Sequence, residues 1–188
     1  MDSIIQQIDQ IDKDFIIYLM KSHHVYTDFV MHWLSDKVIW IPLYMFIIFK
    51  FFKAYPQPQN YIHIVLLILS VVAANSISSD FAKPYFERLR PCHDEEISAL
   101  LDLSHCGGKY GFFSSHAANV FALATYVFLA IRPLGKWLIP WAILVSFSRI
   151  YLCVHYPSDV TMGAVTGVLL GVLFYKISSI IFNKIKNG

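Results

Sequence analysis

Three short polar runs in this sequence carry residues able to hold an anion and move a proton. The first is Lys83-Pro84-Tyr85-Phe86-Glu87-Arg88-Leu89-Arg90-Pro91. Lys83 and Arg90 are fixed cations on a segment stiffened by Pro84 and Pro91. Such a pair suits a phosphate, arginine by paired hydrogen bonds and lysine as a point charge. The second is Gly111-Phe112-Phe113-Ser114-Ser115-His116-Ala117. Ser114 or Ser115 can cap a helix, whose free N–H groups favour an anion, and His116 then stands beside that anion with a proton to give. The third runs from Ser148 to Asp159. Arg149 lies in apolar surroundings, where an ionisable residue is costly and usually functional. His155 and Asp159 are four apart around Pro157, so the carboxylate can fold back onto one ring nitrogen and leave the other to attack.

Each run also has a plainer reading. The first could be a basic stop beside a membrane, the second a capped helix with a surface histidine, the third a structural Arg–Asp pair with a stray histidine. Taken together they are complementary. Phosphoryl transfer needs charge stabilisation, a nucleophile and a proton donor, and these runs supply all three.

The elements that must position them are helical and apolar. Five apolar segments are expected: about 38–52, 62–81, 116–131, 137–154 and 160–175. Some fall short of the ~20 residues that cross a bilayer as a helix, and polar-ended extensions supply the missing turns. The chain is 56% hydrophobic and 15% charged, where about 25% charged is usual in soluble domains. The expected fold is all-α, a single domain over residues 1–188, with interfacial helices at 1–34 and an integral-membrane bundle of about five transmembrane helices at 35–188. Ile4, Ile8, Ile11, Phe15 and Leu19 recur at helical spacing with Gln7, Asp9, Asp12 and Lys13 between them. That pattern predicts an amphipathic helix on the membrane surface. Asp2, Asp9, Asp12 and Asp14 are unlike the basic start of a signal peptide. A net charge of +2 gives no reason to expect nucleic acid.

With five spans, the three polar runs share one side. The other side holds Lys50, Lys53, Arg132, Lys136, Lys176, Lys184 and Lys186 in short loops and the tail, without an acid. The positive-inside rule therefore places that side and the C-terminus in the cytoplasm of a plasma-membrane protein, with the polar runs on the extracytoplasmic face. Cys92 and Cys106 share one loop. Three states are open for them. A disulfide would close about fifteen residues and stabilise by roughly 3 kcal/mol; free thiols are the second; zinc with His93 and His105 is the third, although adjacent residues seldom both reach one metal. Gly163, Gly167 and Gly171 form a small-residue stripe expected to pack inside the bundle.

These runs resemble the type 2 phosphatidic acid phosphatase family, the membrane branch of a superfamily that includes bacterial acid phosphatases and vanadium haloperoxidases. Its K-x6-R-P pattern is matched by Lys83 to Pro91, and S-R-x5-H-x3-D by Ser148, Arg149, His155 and Asp159. Its middle P-S-G-H pattern corresponds to Phe113-Ser114-Ser115-His116, with Phe113 for the proline and Ser115 for the glycine. The resemblance implies that His155 attacks phosphorus, that Asp159 orients it, and that His116 protonates the leaving oxygen. It implies that Lys83, Arg90, Arg149, Ser114 and Ser115 line the phosphate site, with no metal or other cofactor required. The substrate implied is a lipid bearing a phosphomonoester or phosphoanhydride: undecaprenyl diphosphate, phosphatidylglycerol phosphate or phosphatidic acid. Phosphotransfer to another acceptor and a non-catalytic anion-binding membrane protein are the alternatives.

Overall fold

Residues 2–99 and 106–187 are described by a computed structural model. Helix α1 (Asp2–Met20) and α2 (Val25–Ser35) precede five longer apolar helices: α3 (Ile41–Ala54), α4 (Gln59–Ser76), and, after the short α5 (Lys83–Phe86) and α6 (Glu95–Ser98), α7 (Ser115–Ala130), α8 (Arg132–Tyr151) and α9 (Pro157–Asn187). The starts follow local chemistry. Pro42, Pro133 and Pro157 sit in first turns, where a missing N–H costs nothing, and Ser114 caps α7. Among the described residues the fold is all-α; an isolated bridge pairs Leu89 with Tyr110.

α7 is the central helix, packed on α9, α8 and α4. The main core joins Phe51 of α3 and Leu67 of α4 to Val120 and Tyr126 of α7 and Trp141 of α8. The glycine stripe packs inside the bundle, as expected. A Cβ on Gly163 would lie 2.5 Å from the Ser114 carbonyl oxygen, and one on Gly171 2.8 Å from that of Ala122. The outer faces stay apolar: Phe81, Trp137 and Leu169 are all exposed. A helical surface of that kind suits lipid rather than water. Gln59–Phe86 and Pro157–Lys186 are each long and apolar enough to cross a membrane, and Ser115–Ala130 is apolar but shorter.

α1 lies over the end of the bundle where the three polar runs meet. Asp9, Asp12 and Lys13 turn toward the protein: Asp9 and Asp12 pair with Arg88, and Lys13 with Asp94 and Glu96. Ile4, Ile8, Ile11 and Phe15 point outward, but Leu19, placed by periodicity on the same stripe, is buried beside Ile16 against Ile150 and Tyr156. The last turn of α1 has rolled onto the bundle, because there a protein surface, not lipid, covers it.

Candidate active site

His155 and Asp159 meet across the turn between α8 and α9. Cys153, at φ 53°, adopts the left-handed conformation just beyond α8, a chain reversal usual at a helix C-terminus but uncommon for a residue other than glycine. It swings His155 back toward Asp159, the third residue of α9. His155 Nδ1 stands 3.4 Å from Asp159 Oδ2. That same oxygen accepts the Tyr156 backbone N–H at 3.0 Å. Both side chains are buried. Burial pushes the His155 pKa down to about 4 although Asp159 pulls the other way. The imidazole is therefore neutral at pH 7 and keeps a nucleophilic lone pair.

Around this pair the expected cations gather. Arg90 is buried and held by backbone: its Nε donates to the Tyr110 carbonyl at 3.1 Å and its Nη1 to that of Cys106 at 3.3 Å. Arg149 donates to the Ser35 hydroxyl, while its Nε is buried without a hydrogen-bond partner among the described residues. Both arginines lie within electrostatic reach of His155. Lys83 follows a π-helical stretch, Ile77–Ala82, a widened turn often found at functional sites. Its Nζ donates to Ser115 Oγ at 2.8 Å.

The start of α7 closes the site. The Ser114 N–H donates to the Asp159 carbonyl at 3.0 Å, which fastens α7 to α9. Its Oγ accepts the Ala117 N–H at 3.4 Å and caps the helix. Ser115 takes an ordinary helical conformation as the first residue of α7, so a serine in the place of glycine costs no backbone strain. His116 stands one residue on, within reach of the fields of Arg149, Lys83 and His155. The residues expected to act together are brought together.

The sequence matches the family described as PAP2 superfamily over residues 60–182. The chain belongs to that superfamily. A lipid A 4'-phosphatase from Bacteroides thetaiotaomicron is 32% identical over 182 residues, 93% of this chain and 80% of the relative. An undecaprenyl-diphosphatase, BcrC, from Bacillus subtilis is 24% identical over 88% of this chain and 82% of its own length. A crystal structure of a transmembrane PAP2-type phosphatidylglycerolphosphate phosphatase from Bacillus subtilis shares the fold, with a TM-score of 0.69 and 20% identity over 93% of this chain and 88% of that one. This PAP2 chain is a membrane lipid phosphatase, a hydrolase.

Beside its site the PAP2 bundle opens a groove of about 330 Å³ between α3, α4, α7 and α8. His116, Ser35 and Lys37 stand at its polar end, and Tyr44, Leu67, Val71 and Trp141 line its apolar length. Asn119 Oδ1 and Trp141 Nε1 also lie along it, buried and unpartnered among the described residues. The groove begins at the residue assigned to the leaving group.

Cys92 and Cys106 are joined in a disulfide with Cα atoms 5.8 Å apart. Both sulfurs are used in that bond, which sets aside free thiols and a zinc site built on two thiolates; His105 lies outside the described residues. The crosslink holds the Cys106 carbonyl where Arg90 needs it.

Arg88 lies in the first polar run, where its sequence context assigns it no role of its own. In this PAP2 site it donates to Asp159 Oδ1 at 2.8 Å and Ser158 Oγ at 2.6 Å. Its other nitrogen reaches Asp9 and Asp12, each at 2.7 Å. Its place two residues before Arg90 was a usable signal; its partners on α1 were not. Ser35, at the end of α2, was missed likewise.

Proposed function

We propose that this protein releases phosphate from a membrane lipid through a phosphohistidine at His155. The observation that carries the reading is a buried His155 whose Nδ1 stands 3.4 Å from Asp159 Oδ2, with Arg90 and Arg149 in electrostatic reach and Lys83 held on Ser115 at the start of α7. Asp159 engages Nδ1 and leaves Nε2 to attack phosphorus. The cations stabilise negative charge on the equatorial oxygens, aided by Ser114, Ser115 and backbone N–H groups at the start of α7. Attack and departure are in line, so the leaving oxygen emerges opposite His155. His116 protonates it there, and the groove that starts at His116 receives its apolar tail. Water drawn to the same histidine then cleaves the phosphohistidine. Nothing in these steps calls for a metal, because arginine and lysine carry the charge.

The five apolar helices are read as crossing the bilayer, with α1 and α2 at its surface and residues 35–188 as the catalytic bundle. The purely basic short loops favour a cytoplasmic C-terminus in the plasma membrane and an extracytoplasmic site. A disulfide beside Arg90 agrees, since such bonds persist in oxidising compartments. The substrates that fit are undecaprenyl diphosphate, phosphatidylglycerol phosphate and phosphatidic acid. The names of the relatives add a lipid A phosphate to the series.

The test is phosphate release by the purified full chain from those lipids, together with His155→Ala and His116→Ala. Both variants are expected to fold and to lose turnover. Rapid quenching should trap an acid-labile phosphoprotein in the unaltered protein. Near-normal release by His155→Ala would overturn the mechanism. Phosphorylated acceptor in place of free phosphate would point to transfer.

A further inference from the structure

Asp159 is fully buried, and an ionised carboxylate there needs a counter-charge. Its neutral partner, His155, cannot supply one. Oδ2 is occupied by the Tyr156 N–H and His155 Nδ1, and Oδ1 receives Arg88. The guanidinium is itself clamped from outside. Asp9 and Asp12 hold its second nitrogen, and the Tyr156 ring lies 4.4 Å from its central carbon. Asp12, also buried, continues onto α9: its Oδ1 accepts the Ser158 N–H at 3.1 Å and its Oδ2 accepts the Ser158 hydroxyl. One side chain thus ties α1, the first polar run and the start of α9 into a single network.

We propose that Arg88 is a positioning residue for the reaction: held by Asp9 and Asp12 of α1, it fixes Asp159 Oδ1 and thereby keeps Oδ2 aimed at His155, so that α1 becomes part of the catalytic apparatus. The inference rests on the phosphohistidine reading above. Its physics is direct. Without Arg88, Oδ1 of the buried carboxylate would lose its donor, the group would be free to turn, and His155 Nδ1 would lose its fixed partner. With Asp9 and Asp12 removed, Arg88 would lose the outer half of its clamp and drift from Asp159. α1, whose Asp9 and Asp12 face the protein while Ile4, Ile8, Ile11 and Phe15 face out, then acts as a brace between the membrane surface and the nucleophile.

The charged groups facing Asp159 are Arg88, Lys83 and Arg90, with Asp9 and Asp12 behind Arg88. Loss of Arg88 leaves Asp159 Oδ1 without its donor.

The experiment uses the full chain in detergent and the lipid phosphate it turns over fastest. Arg88→Gln is expected to lower kcat by roughly 10- to 100-fold with KM little changed. Arg88→Lys, which keeps the charge and a donor, should restore part of the rate. Unaltered kcat in Arg88→Gln would overturn the proposal. If that variant does not fold, Asp12→Asn decides: a severalfold loss of kcat at constant KM supports the proposal, and no loss overturns it. His155→Ala in the same assay separates the two levels. A dead His155→Ala beside a normal Arg88→Gln rejects only the role of Arg88, whereas an active His155→Ala rejects the mechanism itself.

Discussion

The Lys83 ammonium donates to the Ser115 hydroxyl at 2.8 Å, and that hydroxyl lies 2.9 Å from the Ser79 hydroxyl. The residue that replaces a glycine in the family pattern thereby joins the first polar run to the second. Ser115→Ala leaves the helix start intact and removes the anchor of a half-buried cation. A hydrogen bond to a charged group is worth about 1.5–3 kcal/mol, so kcat/KM should fall roughly 10- to 150-fold. Unchanged kinetics in Ser115→Ala would show that Lys83 finds its place without it.

The groove beside His116 predicts a split between substrates. Val71→Trp places an indole in its apolar length, away from His155 and the cations. KM for a long-chain lipid phosphate should rise about tenfold, the equivalent of about 1.4 kcal/mol of lost tail contact. Hydrolysis of a short, water-soluble phosphomonoester should be unaltered. Equal loss on both substrates would mean that the tail lies elsewhere.

The acid limb of kcat/KM should reflect a histidine held low. The attacking imidazole must be neutral, so activity is present above its pKa and lost as pH falls through it. Burial takes His155 down to about 4. Once the measured ionisation of the substrate phosphate is divided out, the remaining limb should lie nearer that value than the ordinary histidine range near 6.5. A limb at the ordinary value would show a solvated nucleophile.

Reduction of the Cys92–Cys106 bond should be felt at Arg90. Closing a loop of this size stabilises by roughly 3 kcal/mol, so the reductant should lower the thermal midpoint. It should also raise KM, because the Cys106 carbonyl is released from Arg90. Cys92→Ser should behave like the reduced protein and no longer respond to reductant. A reductant effect that persists in Cys92→Ser would place the sensitivity elsewhere.

Much of this site could be read before any coordinates, because its residues violate their surroundings. Arg149 in an apolar helix and the His155–Asp159 spacing around a proline are costly unless used. The five apolar helices were legible for the opposite reason: each keeps a long stretch free of Asp, Glu, Lys and Arg. What the pattern could not convey was partnership across long separations. Arg88 meets Asp9 and Asp12 only because α1 lies over the end of the bundle, and no local signal specifies that. Ser35 reaches Arg149 by the same kind of tertiary accident. The left-handed turns at Glu87 and Cys153 were hidden too, since neither residue type announces a positive φ. Leu19 shows the limit of periodicity: a helix face can be apolar along its length and still be split between protein and lipid.

The glycine stripe on α9 has a kinetic side. α9 begins with the residues that carry Asp159, and α7 begins with Ser114, Ser115 and His116. In the proposed mechanism the two helices are the arms of a pair of tongs whose tips hold the reacting phosphate. Gly171 stands about 18 Å along the axis from Asp159, yet it sets how far apart those arms lie. One methyl group added there would widen the grip at the tips, and turnover would report on the closeness of two backbones at a point no substrate ever touches.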